Sequence, residues 1–513
     1  MLEKKEKHYS NFSISIFFLI IITIVGFVIR IYYMPENIPL TLDALRYFFY
    51  GMDVVVIENL PRHFEFPNNG WPLFLSILFQ AFRFENSIDY MTLQKVSSII
   101  FSTLTAIPIY FLTKKFFNEY LALIATSFFI FSPYIVENSF LGLTESLFIF
   151  LIANFLALFF SKNKIHVIFS FVILGISSIV RYESLLLIIP VTVIFFHKYK
   201  SDTSFRKLFF IGLGLFLLVI ISMALWRFEI YGNDGFISHF FSAGSVVNDP
   251  GLYRDGTVKF DLVRGFINLP KFIAASLLPI CFIFVPYSLI SLTKKENKEF
   301  RYLVLIGIFA LIPALYAYGR GFEDSRYVFI FLPIFVVSSL FLIQKIVLKT
   351  KKRNAAISVF IVLIAISSII YIDSRQPDYE HEYDAIQVAK FVDDLNGGIN
   401  DYGKETRYVE FMRLDDVKFP ALSTEIDIKT NIVYTSESIN RGITIHDIME
   451  DARNKDISYL AITDYTRNNN QILSEIYDEP DNYPYLEKIF DSKEHDLKFN
   501  IKIFKINFLQ FGI

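Results

Sequence analysis

Cysteine is all but missing from these 513 residues. The single Cys281 lies inside an apolar run, which excludes a disulfide framework or a cysteine-built metal site and reads as a small buried hydrophobe. Charge is scarce as well, at 19% of residues against about 25% in soluble domains. Its signs balance, with 49 Lys and Arg to 51 Asp and Glu, so no basic excess points to nucleic acid as a partner. None of the eight His forms a pair spaced for zinc, and no Gly-rich phosphate loop occurs, the Gly397-Gly398 pair reading as a turn. A cleavable secretory signal is not expected, because the apolar run after Lys4, Lys5 and Lys7 is too long and has no small-residue cleavage site.

What the chain has instead is apolar length. Hydrophobic residues make up 53% of it, and the mean hydropathy is +0.44. A helix needs about 20 apolar residues to cross the bilayer core, where no water satisfies a stray backbone group. About eleven runs approach that length, at 12–33, 93–113, 119–136, 145–161, 165–180, 184–197, 207–226, 269–292, 302–318, 327–348 and 354–372. Lys and Arg concentrate in alternate loops, as at Lys114 and Lys115, Lys162 and Lys164, Lys294 and Lys295, and Lys351 to Arg353. Those loops are expected to be cytoplasmic, with the N-terminus inside and the C-terminus outside. The loops 34–92, 137–144, 181–183, 227–268 and 319–326 then lie outside, together with the tail.

From Asp373 the composition turns rich in Asp, Glu, Asn and Tyr, with apolar runs too short to span. The pattern predicts a mostly α-helical polytopic bundle over 1–372 and a small extracytoplasmic α/β domain over 373–513. Within the latter, 385–395 reads as an amphipathic helix, 431–435 and 457–463 as buried strands, and 499–506 as a terminal strand.

Charged and polar groups at the outer membrane face are costly to hold there and are the candidates for chemistry. In the first outer loop, a surface helix places Asp43, Arg46, Tyr47 and Tyr50 on one face at i, i+3, i+4 and i+7, either as a functional cluster or as the wet side of an amphipathic helix. A turn-dense Asn68-Asn69-Gly70-Trp71-Pro72 leads into a short apolar helix. Glu137, Asn138 and Glu145 flank another tight turn, where Thr144 is alternatively a helix cap with Glu145 at the positive helix end. Arg181 and Glu183 interrupt apolar sequence, and Arg320, Asp324 and Arg326 precede a late span. These arginines either grip a phosphate or form interfacial ion pairs.

Taken together, Leu42-Asp43-Ala44, Asn69-Gly70-Trp71-Pro72, the stretch from Asn138 to Glu145, and Val180-Arg181-Tyr182-Glu183 resemble the GT-C membrane glycosyltransferases. That superfamily includes protein O-mannosyltransferases, lipid A aminoarabinose transferases and oligosaccharyltransferases, and the likeness is to prokaryotic, particularly archaeal, members of its Rgt-like and O-mannosyltransferase-like branch. It covers residues 10 to about 372 in topology. The resemblance implies sugar transfer from a polyprenyl (dolichyl)-phosphate donor to a protein or glycolipid acceptor on the extracytoplasmic face. It casts Asp43 as general base and Arg181, Arg320 and Arg326 as donor-phosphate ligands, with Arg46, Tyr47, Asn69, Trp71, Glu137, Asn138, Glu145 and Glu183 about the substrate cavity. Chemistry favours the same roles: a carboxylate accepts the acceptor's proton and fixed cations stabilise the departing phosphate.

Two departures stand out. Asp43 is followed by Ala44, where many O-mannosyltransferases have Asp-Glu, and neither Trp71 nor Trp226 lies in the tail, so sequon-reading N-glycosylation is not expected. A divalent cation, Mg or Mn, held by Asp43, Glu137 and Glu145 stays open as a cofactor. A transporter or lipid flippase is the competing reading, opposed by charges that cluster at one face.

Overall fold

A computed structural model describes residues 2–40, 42–62, 67–84, 87–198, 203–248, 260–276, 298–349 and 353–375. In the tail it describes 379–380, 383–384, 387–388, 391, 410–414, 417–421, 444–454, 459–463, 471–498 and 500–512. The chain divides into two units: Met1–Pro35, Glu65–Phe74 and Leu93–Gln376 form the first, and Glu36–Phe64, Leu75–Thr92 and Pro377–Ile513 the second.

The first unit is a bundle of apolar helices. Among the described residues, six helices are long and apolar enough to cross a membrane, or seven if one bent pair is a single span. Ile20, Ile24 and Val28 of the first helix and Leu218, Ile221 and Leu225 of the helix Thr203–Tyr231 are each about half exposed or more, a surface that needs lipid rather than water. The opposite side of the first helix carries its polar groups inward. Ser15 and Tyr110 share a hydroxyl hydrogen bond of 2.8 Å, and the fully buried Arg30 donates to Gly26 O (2.9 Å) and Ser102 Oγ (3.2 Å). A Cβ on Gly26 would lie 2.2 Å from Ile130 Cγ2, so the absent side chain lets the helix Glu119–Ile130 approach closely.

Several expected runs are broken rather than straight. Glu119–Ile130 bends by 56° into Pro133–Ser139, because Pro133 lacks an N–H and disfavours helical geometry just before it. The runs at 145–161 and 165–180 form helices of 15 and 17 residues, shorter than the roughly 20 of a full crossing. The run at 184–197 starts as the 3-10 turn Tyr182–Leu187 before becoming the helix Ile188–Lys198. Of the run at 269–292, Leu262–Ser276 is helical, while the remainder, with Cys281, lies outside the described residues.

In the second unit, the helix Leu42–Ile57 forms where the surface helix was expected, and Phe48 meets Phe79 edge-on at 5.6 Å, as Phe79 meets Tyr90 at 5.5 Å. Tyr383 donates to Glu36 O at 3.2 Å, joining the start of the tail to this region. The tail folds around an antiparallel sheet in which Ile501–Ile506 lies between Tyr459–Thr463 and Leu486–Asp491. The helices Ile445–Asn454 and Gln471–Asp478 pack on it through Ile448, Met449, Leu473 and Ile476 against Leu460 and Phe504. A separate hairpin pairs Glu410–Leu414 with Val417–Ala421. Strands predicted at 457–463 and 499–506 are present as Tyr459–Thr463 and Ile501–Ile506, whereas 431–435 and the Gly397-Gly398 turn lie outside the described residues. Residues 387–388 and 391 are helical within the predicted helix 385–395, and 383–384 are helical just before it.

Candidate active site

The first unit holds a small, partly open cavity where two chain breaks face the start of the helix Glu145–Phe159. The first break is at Arg181, whose extended backbone (φ −147°, ψ 114°) ends the helix Lys164–Val180. A broken helix at this depth strands backbone groups that lipid cannot satisfy. Here Arg181 N donates to Ser177 O (2.8 Å), Ser184 N to Arg181 O (3.2 Å), and the Ser184 hydroxyl bonds those of Ser177 (3.0 Å) and Ser178 (2.9 Å). Three serines thus support one irregular residue.

Its side chain is held between two carboxylates. Nη1 donates to Glu145 Oε1 at 2.7 Å and Nη2 to Glu183 Oε1 at 2.8 Å, while the guanidinium carbon lies 5.7 Å from the Phe148 ring centre. The three side chains are 13%, 5% and 15% exposed, so the pairing is little screened by solvent. Glu183 Oε2 is buried and has no hydrogen-bond partner among the described residues.

The second break runs through Gly321 (φ +86°) into the 3-10 turn Ser325–Phe331. Asp324 caps that turn, accepting from Arg326 N at 2.8 Å and from Arg326 Nε at 2.6 Å. Arg326, Tyr327, Phe329 and Ile330 reach the cavity, with Ala310 and Pro313 opposite.

The structure brings Glu145, Arg181, Glu183 and Arg326 together in one cavity wall. The ion pairs entertained from the sequence are formed, Arg181 with Glu183 and Arg326 with Asp324, and the partnership of Arg181 with Glu145 is added to them. Thr144 makes no capping hydrogen bond, and Glu145 is engaged by Arg181. Arg320 does not line the cavity; it stacks near Tyr316 and donates to its hydroxyl at 3.1 Å. Glu137 does not meet Glu145 across their turn but pairs with Arg375 at 2.6 Å. Asn138 is 5% exposed. Asn69 and Trp71, expected in the cavity, are fully buried behind it: Asn69 Oδ1 accepts from Arg227 Nη1 (2.6 Å), and Trp71 Nε1 donates to Gly142 O (3.0 Å). In the second unit, Asp43 is half-buried and Tyr47 and Tyr50 are buried, but Arg46 is exposed, so the expected common face is divided.

Among the described residues, no group of three or more His, Cys, Asp or Glu is arranged to hold a metal ion. Glu137 and Glu145, two of the carboxylates considered for a cation, are each paired with an arginine. Sequence reasoning missed Arg227 and Gln94, which donate to Asn69 Oδ1 (2.6 Å) and Gly142 O (2.8 Å), as parts of the site's support. Arg227 follows Trp226 at the end of an apolar run, and that intramembrane charge was the available signal.

Comparison with known proteins bears on this arrangement. Residues 86–226, which include Glu145, Arg181 and Glu183, match the family described as dolichyl-phosphate-mannose-protein mannosyltransferase. The oligosaccharyltransferase of Archaeoglobus fulgidus in its apo form superposes with a TM-score of 0.57 at 12% identity, over 92% of this chain and 73% of that one. The archaeal oligosaccharyltransferase AglB of that organism, in complex with an inhibitory peptide and a dolichol-phosphate, gives 0.55 at 12% identity, over 87% and 69%. ArnT from Cupriavidus metallidurans bound to undecaprenyl phosphate gives 0.49 at 12%, over 69% and 70%. A search of curated proteins finds no match. At such identities the likeness is one of fold, which this chain shares with the archaeal oligosaccharyltransferase.

Proposed function

We propose that this chain is a multi-pass membrane glycosyltransferase that moves a sugar from a polyprenyl-phosphate donor to a hydroxyl-bearing acceptor at the extracytoplasmic face. The observation that carries the reading is the buried Glu145–Arg181–Glu183 cluster at a helix break, lying inside the segment that matches the mannosyltransferase family. Local charge divides the labour. Three carboxylates (Glu145, Glu183, Asp324) against two guanidiniums (Arg181, Arg326) leave the cavity without excess positive charge. Its carboxylate-lined interior therefore suits the hydroxyls of a sugar ring, and the more exposed Arg326 suits the lipid phosphate, with Arg320 a further cation outside the cavity.

In the reaction, the acceptor oxygen attacks the anomeric carbon and its proton passes to the Asp43 carboxylate. The bond from that carbon to the phosphate oxygen breaks, and its electron pair leaves on the lipid phosphate, where guanidinium groups stabilise the charge. One displacement inverts the anomeric centre and calls for a single base. The tail, Pro377–Ile513, contributes to acceptor choice. The deciding experiment offers the purified full-length protein a panel of radiolabelled polyprenyl-phosphate sugars with peptide and glycolipid acceptors and follows release of polyprenyl phosphate. Release coupled to a glycosylated product is expected. Movement of intact donor across a vesicle bilayer with no product would establish the flippase reading instead.

A further inference from the structure

The turn Asn68-Asn69-Gly70-Trp71 touches both chain segments that build the Arg181 cluster. Toward Arg181, the Tyr182 amide donates to Asn68 Oδ1 at 3.4 Å. A Cβ on Gly70 would lie 2.7 Å from Val180 N and 2.8 Å from its Cα, so the turn is seated directly on the backbone at the helix break. Toward Glu145, Trp71 Nε1 donates to Gly142 O at 3.0 Å, and Gln94 Nε2 donates to the same oxygen at 2.8 Å. Gly142 is at φ +73°, three residues before Glu145. The turn is fastened from behind by the fully buried Arg227, whose Nη1 donates to Asn69 Oδ1 at 2.6 Å. Arg227 is itself enclosed, since a Cβ on Gly235 would fall 1.9 Å from its Nε, and its guanidinium carbon lies 5.0 Å from the Tyr231 ring centre.

We infer that Asn69 and Arg227 are positioning residues that lock the Asn68–Trp71 turn, and through it set the distance between Arg181 and Glu145. This rests on the cavity being the seat of sugar transfer. Neither residue lines the cavity; they act through the two backbone segments that do. Misplacing a reactive geometry by about 1 Å costs on the order of 100-fold in rate, so a loosened turn lowers turnover more than donor affinity.

The chain's two tryptophans make the test direct. In a Trp226→Phe background, Trp71 is the only indole, and its emission reports the turn. Glu145→Gln or Arg181→Lys in that background is expected to shift Trp71 emission, because each change disturbs the segment bonded to it. Asn69→Ala is expected to lower kcat at least tenfold while KM for the polyprenyl-phosphate sugar stays within threefold, in protein that remains monodisperse. Unchanged Trp71 emission in both cluster variants, or a folded Asn69→Ala protein with kcat within twofold of the parent, overturns the inference. If the parent transfers no sugar at all, the proposed function fails, and the emission experiment still decides whether the turn and the cluster are coupled.

Discussion

Removing Arg181 alone leaves the two carboxylates that share it without that cation, one of them in a side chain only 5% exposed. Breaking a buried pair in this way costs about 3–5 kcal/mol, because the surviving charge keeps its desolvation penalty and loses its partner. Glu145→Gln is milder, since Arg181 retains Glu183 at 2.8 Å and the pair stays neutral. The double variant Glu145→Gln/Arg181→Met restores charge balance less completely, leaving only Glu183. It is expected to be more stable than Arg181→Met by at least about 1.5 kcal/mol, a coupling within the range seen for contacting residues. Reversible unfolding in mixed detergent micelles, run on the wild type, both single variants and the double, measures the cycle. Additive effects, or an Arg181→Met protein within about 0.5 kcal/mol of wild type, would refute the argument that this cluster is electrostatically interdependent. Transfer activity gives the complementary readout. Stability recovered in the double variant should not return the rate, which stays roughly 100-fold down because the preorganised donors are gone.

Asp43→Asn should retain binding of the lipid donor and lose turnover by about 100-fold or more, measured as separate binding and single-turnover rates; equal turnover would remove Asp43 from the role of base. Gly235→Ala adds a side chain at φ +71° and displaces the Arg227 guanidinium, so it should destabilise by about 1–3 kcal/mol and reproduce the kinetic pattern of Asn69→Ala. Asp234 accepts from the Ile237 and Ser238 amides at 2.9 and 3.0 Å. Partial burial pushes its carboxyl up, but the hydrogen bonds from Ser238, Ile237 and Phe236 outweigh this and hold it below its ordinary range. The sign follows: this stabilisation is present above the unfolded value of about 4 and is lost as pH falls through the lower folded value. Protection of the Ile237 and Ser238 amides, taken relative to the intrinsic exchange rate at each pH, should therefore fall in acid, and in Asp234→Asn that fall should be absent.

Apolar periodicity and length made the helical bundle legible in the sequence, and a shift to polar composition marked the tail. The breaks were harder to read. Val180-Arg181-Tyr182-Glu183 announced itself as charge in an apolar run, yet nothing local said that Arg181 would choose Glu145, 36 residues earlier, as well as the neighbouring Glu183. Pairings across the bundle are set by packing, which composition does not encode. The same limit explains Asn69 and Trp71: a polar turn beside a Trp suggests a binding surface, whereas tertiary contacts turned both inward as fasteners. On the helix Leu42–Ile57 the residues from Ala44 to Asp53 are buried nearly all round, Tyr47 and Tyr50 among them, and Arg46 is the exposed exception.

Arg30 bears on how the molecule is assembled. Arg30 lies in the last turn of its membrane helix, where a guanidinium costs less at insertion than the about 2.5–3.5 kcal/mol of a mid-helix one, and its side-chain partner Ser102 is synthesised 72 residues later. Until that residue arrives, only the Gly26 carbonyl on its own helix is at hand. The helix that carries Arg30 is thus incompletely settled in lipid until Ser87–Leu104 emerges. Arrested chains ending before and after Ser102, assayed for release into the bilayer, would distinguish delayed from immediate partitioning.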